Sequence, residues 1–286
     1  MKVKELPIST SVVPKRLRNI SQPPNRLFVA GAALAELLTR PCVTIVGSRK
    51  VSAYGRVVTT TLAGELARSG VVIVSGLAIG VDGIAHRAAL EAGGLTIAVL
   101  PSSIEQIYPA NHRQLAEQII KQGGALVTEY PAGEIPYKDH FIARNRIAAG
   151  LCDALLITEA AEKSGTLHTA NFALEQGKAV LAVPGNITSP TSAGTNNLIK
   201  TGAMPVTSVQ DVFHALGITQ TMAKAAPSSR DPHEQALLTL LASGVSDGAE
   251  LLARSNLPVS LYNQTLTMLE IRGAIRPLGN NQWGLQ

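Results

Sequence analysis

Six short apolar runs, at 43–46, 71–74, 96–100, 125–128, 154–157 and 179–183, recur along the chain at intervals of roughly 25–30 residues, the length of a strand plus a returning crossover. Between them Val57, Val58, Leu62 and Leu66, and then Leu115, Ile119 and Ile120, fall at spacings of three and four, the period of a helix with one apolar face. The runs lack polar alternation, as expected of strands whose two faces are both covered by helices. Strands and helices in strict alternation predict an α/β fold: an extended, Rossmann-like, doubly wound and mostly parallel sheet with right-handed crossovers. Such sheets bind ligands outside the carboxyl ends of their strands. The six exits are Gly47-Ser48-Arg49, Ser75-Gly76, Pro101-Ser102-Ser103, Glu129, Glu159 and Pro184-Gly185-Asn186, and all should converge on one rim.

Residues 1–42 read as an arm punctuated by Pro7, Pro14, Pro23 and Pro24, with a short strand at 26–31 and a short helix at 32–38, expected to cover a sheet edge. The doubly wound domain then occupies 43–218. Residues 219–230 have linker composition. In 231–286, helical patterns at 233–242, 247–255 and 258–271 precede two short strands at 274–277 and 282–285, the order of a winged-helix domain.

Hydrophobic residues make up 45% of the 286, which places the chain among folded proteins, and no apolar stretch reaches membrane-spanning length. The first residues lack a secretory h-region, and Cys42 and Cys152 stand apart from any ligand cluster. Buried free thiols in a cytoplasmic protein are the expectation, with no bound metal or cofactor. The net charge of +5 is uneven: residues 1–50 hold nine Lys and Arg against only Glu5 and Glu36. This concentration at the first strand's end could serve phosphates or simply solubility.

Four stretches could carry chemistry. Gly47 allows close backbone approach, Ser48 offers a hydroxyl and Arg49 a fork of donors suited to phosphate, although an ordinary turn with a solvated arginine fits the same residues. The segment 75–83, containing Gly76, Gly80 and Gly83, is a glycine-rich strand-to-helix turn where a phosphate could meet backbone N–H groups. It lacks both the dinucleotide fingerprint and the P-loop spacing. Asp82 and His86, four apart, should share a helix face as a hydrogen-bonded pair rather than a metal site. In 141–150, Arg144 and Arg146 bracket Asn145 within an apolar helix, with Lys138, His140 and Phe141 upstream. If the arginines face inward they need an anion, either a bound phosphate or Glu129 or Glu159, and Phe141 could stack on a base or join the core. Finally Ser164, Gly165 and Thr166 open a helix after a strand, a second candidate anion loop. No nucleophile elbow or Ser-His-Asp order stands out.

Taken in order, these motifs resemble the DprA family, also called Smf, of bacterial DNA-processing proteins in natural transformation. The likeness runs from about Leu17 to Leu216 through Pro23-Pro24, Val46-Gly47-Ser48-Arg49, Ser75-Gly76-Leu77-Ala78, Gly80-Val81-Asp82 with His86, and Ile107-Tyr108-Pro109. It continues through Glu129-Tyr130-Pro131, Phe141 with Arg144-Asn145-Arg146, Ser164-Gly165-Thr166 and Val183-Pro184-Gly185. The resemblance implies a homodimeric single-stranded DNA-binding recombination mediator that protects incoming strands and loads the recombinase RecA while displacing single-strand-binding protein. It also implies that Ser48, Arg49, Lys138 and the segment 144–146 grip phosphates, with Phe141 stacking on a base. Many relatives carry an N-terminal SAM-like helical domain, for which this chain begins too close to the sheet. The third helix of the small domain has no Lys or Arg, and 231–286 hold three basic against five acidic residues, so a protein contact or dimer support suits it better than duplex binding. The alternative is an enzyme like the cytokinin-activating phosphoribohydrolases, whose glycine-rich loop and glutamate compare with 163–169 here. His168 or Thr169 then stands where the acid belongs.

Overall fold

The computed structural model describes residues 3–7, 14–218, 229, 231–279 and 281–285, in two compact units that divide after Thr219. The first unit begins with β1 (Val3–Pro7), α1 (Lys15–Arg18), β2 (Arg26–Gly31) and α2 (Leu34–Leu37), then β3 (Cys42–Gly47), α3 (Ala53–Arg68), β4 (Val72–Ser75), α4 (Val81–Glu91) and β5 (Thr96–Val99). It continues with α5 (Arg113–Lys121), β6 (Ala125–Thr128), α6 (Lys138–Leu151), β7 (Ala154–Glu159), α7 (Thr166–Glu175), β8 (Ala179–Ala182), α8 (Ala193–Lys200), β9 (Met204–Pro205) and α9 (Val209–Ala215). All six strands expected from the apolar runs form.

One nine-stranded sheet results, in the order β1-β2-β6-β5-β4-β3-β7-β8-β9. From β6 to β9 every pairing is parallel. Helices α3, α4 and α9 bury Leu62, Leu66, Ala85 and Phe213 against one face; α1, α6 and α7 bury Leu17, Ile147 and Ala170 against the other. Two-sided burial explains the unbroken apolar runs, and the exceptions are satisfied locally: the buried Thr44 hydroxyl donates to the Ala148 carbonyl at 2.7 Å. Since β3 lies between β4 and β7, the winding reverses beside it. The carboxyl ends of β3 and β7 therefore flank a topological switch point.

The arm meets the edge of the parallel strands at β6 as strands of its own. β2 pairs antiparallel with β6 and β1 with β2, so residues before 42 extend the sheet by two strands. Leu27 and Val29, buried in β2, supply the inward apolar residues. Leu17 is fully buried; a Cβ on Gly150 would fall 2.7 Å from its methyl, so Gly150 lets α1 sit against α6. Arg16 secures the contact, donating to the Leu151 carbonyl at 2.7 Å and pairing with Asp153 at 3.3 Å. Residues before 42 thus belong to the first compact unit. Cys42 and Cys152 are free and buried, and burial pushes the Cys42 thiol up to about 12.

The second unit contains α10 (Pro232–Ala242), α11 (Gly248–Ser255), α12 (Val259–Ile271) and the hairpin β10 (Ile275–Gly279) with β11 (Gln282–Leu285). Asp231 and Asp247 accept backbone N–H groups at the starts of α10 and α11. Leu237, Leu251, Leu266, Leu269 and Ile275 form an independent core. Arg272 pairs with the buried Glu234 at 2.9 Å and Arg254 with Glu250 at 2.7 Å, leaving few cations for an anionic partner among the described residues of this unit. The expected linker, 219–230, lies outside the described residues except for Ser229, whose N–H donates to Gln235 at the start of this unit.

Candidate nucleic-acid interface

The rim is built around the loop that leaves β3. Its entry is fixed by backbone: Ser48 N–H donates to the Glu159 carbonyl at 2.8 Å, and the Ser48 carbonyl accepts from Val81 N–H at 3.1 Å. These contacts leave no room for side chains. A Cβ on Gly47 would lie 2.8 Å from the Glu159 carbonyl, and one on Gly80, whose φ is +84°, would lie 2.2 Å from the Ser48 carbonyl. The loop's exit is held by the Glu159 carboxylate, 2% exposed, which accepts from the Ser52 N–H at 3.0 Å and from the Ser52 hydroxyl. One residue of β7 therefore clamps both ends of the segment that carries Arg49.

Arg49 itself projects outward. Its guanidinium lies 5.2 Å from the centroid of the Phe141 ring, an arrangement that orients the cation through the ring's π face while leaving its in-plane N–H fork open. No carboxylate among the described residues sits within ion-pair distance of it. Lys138, exposed at the first position of α6, stands three residues before Phe141 on the same helix. Phe141 is half-buried and meets Tyr108 edge-on at 5.3 Å. Nearby His140 stacks on Tyr130 at 3.9 Å, meets Tyr137 edge-on at 5.3 Å, and approaches the Pro101 carbonyl at 3.2 Å through Nδ1. Exposed cations thus adjoin a cluster of aromatic faces, the pairing that suits a nucleic-acid strand.

Arg144 and Arg146, expected as phosphate contacts, point the other way. Arg144 is 5% exposed and donates to the carbonyls of Gly76 and Val99, tying the ends of β4 and β5 to α6. Its Nε donates to the Asn145 side-chain oxygen at 3.2 Å, which binds half-buried Asn145 to the same scaffold. Arg146 pairs with Glu129, one of the alternatives the sequence left open. The pair supports the rim from beneath, because bringing either guanidinium to a phosphate would strand a buried carboxylate or carbonyl.

The glycine-rich turn after β4 also needs correction. Gly76 N–H does not await a phosphate; it donates to Asp82 at 3.1 Å. Asp82 is buried, which raises its pKa, while the Arg144 guanidinium opposes the rise. A side chain at Gly76 would strike that guanidinium. Nor do Asp82 and His86 bond to each other. The Thr96 hydroxyl donates to the Ile73 carbonyl at 2.6 Å, so it accepts His86 Nδ1–H at 2.7 Å and fixes that tautomer. His86 Nε2 remains buried without a partner, and burial pulls the His86 pKa down to about 3. Leu77, between the two glycines, is held at φ +58°, and its carbonyl is 2.8 Å from His112 Nδ1. A buried non-glycine residue in that region is strained and must be held by its surroundings.

The turn after β7 is different. Thr166 donates its hydroxyl to the Gly47 carbonyl at 3.1 Å, setting Ser164, Gly165 and Thr166 beside the Arg49 loop across the switch point. The Ser164 hydroxyl donates to Thr166 at 3.0 Å. Gly165 immediately precedes α7, whose first turn carries no acidic residue, and the space beside the Gly165 Cα is open. Sequence reasoning passed over Tyr54 and Tyr137 as site residues, and used Tyr108 and Tyr130 only within motifs. Their signal was concentration: three of five tyrosines, with Phe141 and His140, cluster at one edge of the rim.

Comparison with known proteins places this geometry in context. Residues 6–217 match the family described as DNA recombination-mediator protein A, and residues 221–281 match the DprA winged helix domain. DNA processing protein DprA of Bacillus subtilis is 41% identical over 214 residues, 75% of this chain and 71% of that protein. Protein Smf of Escherichia coli is 43% identical over 211 residues, 74% of this chain but 56% of that longer protein. Among solved structures, DprA from Streptococcus pneumoniae superposes with a TM-score of 0.70 at 41% identity, covering 74% of each chain. A Helicobacter pylori DNA processing protein A, whose structure concerns a single-stranded DNA binding mode, gives 0.67 at 35% identity, covering 75% of this chain and 95% of its own. Matched along the sheet-bearing unit and again over the small one, the chain belongs to the DNA recombination-mediator protein A family, that of the DprA and Smf proteins.

Proposed function

We propose that the rim binds single-stranded DNA through its phosphate backbone, and that the chain protects such strands and loads RecA onto them in natural transformation, displacing single-strand-binding protein. In this reading it acts as a cytoplasmic homodimer. One observation carries the binding step: Arg49, unpaired by carboxylate among the described residues, lies over Phe141 with Lys138 on the same helix. The single-stranded DNA binding described for the Helicobacter pylori relative supports the same ligand. Mediation without bond breaking is supported by the state of the buried acids and bases. Glu159 is held by Ser52, Asp82 by Gly76, and His86 by Thr96, so none faces the rim as a free catalytic group. Among the described residues no helix is long and apolar enough to cross a membrane.

The test is a salt titration of binding to a fluorescent oligo-dT strand. Arg49→Ala should weaken binding at least tenfold, about 1.4 kcal/mol, and reduce the log–log salt slope by roughly 0.7, the share of one phosphate contact on a single strand. An unchanged slope would remove Arg49 from the interface. Release of free base from AMP by the wild-type protein would instead favour the phosphoribohydrolase reading.

A further inference from the structure

Beside the Arg49 loop runs a second concavity that none of the charged residues enters. It encloses about 550 Å³ and is lined by Ser52, Tyr54, Pro184, Gly185, Asn186 and the hydroxyl residues of 189–192. Ser52 links it to the phosphate-facing loop, since this residue ends the segment that carries Arg49. Its walls are already fixed. Asn196 brackets Gly185, accepting its N–H and donating to its carbonyl, both at 3.1 Å. The hydroxyls of Ser189 and Thr191 bond each other at 2.9 Å. Tyr54, at the second position of α3, is 49% exposed yet not free to swing, because its hydroxyl donates to the Pro184 carbonyl at 2.8 Å. An aromatic ring held rigid at the mouth of a preformed groove presents a face at little cost in side-chain entropy.

We infer that this groove is a nucleobase subsite, in which one base of the bound single strand stacks on Tyr54. The inference rests on the strand-binding reading above and deepens it. Two features select a base over a phosphate: the lining contains no cation to neutralise an anion, and it combines an aromatic face with hydroxyl, amide and backbone groups. Stacking on a single ring with adaptable hydroxyl partners tolerates every base, so little sequence preference should follow.

Paired titrations with oligo-dT and with an abasic strand of equal length separate this subsite from the phosphate contacts. Tyr54→Ala should weaken oligo-dT binding five- to tenfold, leave the salt slope unchanged, and have no effect on the abasic strand. Tyr54→Phe, which keeps the ring and loses only the tie to Pro184, should stay within twofold of wild type on both. Arg49→Ala should weaken both strands alike and lower the slope. If Arg49→Ala behaves so while Tyr54→Ala changes neither strand, or both equally, the base subsite is overturned and the phosphate rim stands. If Arg49→Ala is silent on both strands, the reading beneath the inference falls first.

Discussion

Two strand-to-helix turns of the same sheet carry small residues at the start of a helix, and only one of them is open. After β4, Asp82 folds back onto the Gly76 N–H, and Arg144 closes the turn from the other side through the Gly76 carbonyl. After β7, the first turn of α7 has no acidic residue, the space beside Gly165 is empty, and Thr166 anchors the turn to Gly47. A helix N-terminus attracts an anion wherever its N–H groups point. Whether a ligand can use it depends on whether the chain has already supplied the anion. The first turn is a structural knot; the second remains available to a phosphate.

The sharpest way to break this comparison is to remove the internal anion. Asp82→Asn removes the buried charge that holds the Gly76 N–H and faces the field of Arg144 and should cost about 3 kcal/mol of stability, read as a lower urea midpoint at unchanged m-value. A cost under about 1 kcal/mol would mean that the Asp82 charge does not hold the knot.

Next in size comes the pH response of the same helix. His86 has its pKa pulled down to about 3 by burial, below the ordinary value of 6.5. The unfolded chain therefore binds a proton at His86 that the native state refuses, and stability is lost as pH falls from 6.5 toward 3. At about pH 4.5 the loss should be on the order of 3 kcal/mol, the linkage of two pH units. His86→Gln should abolish that part of the acid slope in urea titrations. Parallel slopes for the two proteins would sink the assignment.

The contrast also marks where sequence reasoning reaches its limit. Strands such as Val43-Thr44-Ile45-Val46 announced themselves because two-sided burial demands an unbroken apolar run, and the winged-helix order followed from helical periodicity and turn residues. In the arm the strand at 26–31 was legible but its partner was not: β2 joins the sheet through antiparallel backbone bonds to β6, about a hundred residues away, and β1 pairs on its outer edge. At the rim, residue type named the candidates but not their direction. Arg49 and Arg144 are both arginines near phosphate-like turns, yet one is exposed over Phe141 and the other is 5% exposed beneath Gly76. Asp82 sits four residues before His86, which suggested a pair. Tertiary neighbours at 76 and 96 claimed them instead.

A gain of charge tests the open turn directly. Gly165→Asp puts a carboxylate where the β4 turn already has one, at a position with φ −59° and nothing within 4 Å of the new Cβ. The fold should tolerate it, since a carboxylate at a helix N-terminus is favoured by the helix dipole. Affinity for oligo-dT should fall about tenfold, or 1.4 kcal/mol, with the urea midpoint unmoved. Unchanged affinity would show that the strand does not approach this turn.

The smallest effect is expected from removing the second unit altogether. Its core is its own, Arg254 and Arg272 are paired with carboxylates, and α12 has no Lys or Arg to meet a phosphate. A chain ending at 218 retains Arg49, Lys138, Phe141 and both turns, so its affinity for oligo-dT should change by less than about threefold, under roughly 0.7 kcal/mol, with the same salt slope. A tenfold loss with that slope preserved would assign binding to the uncharged stripe Ser260, Asn263, Gln264 and Thr267 that α12 exposes. Amide side chains can read bases without contributing to the counterion term, so this outcome would give the molecule two modes of contact: charge on the sheet's rim and hydrogen bonding on the small domain.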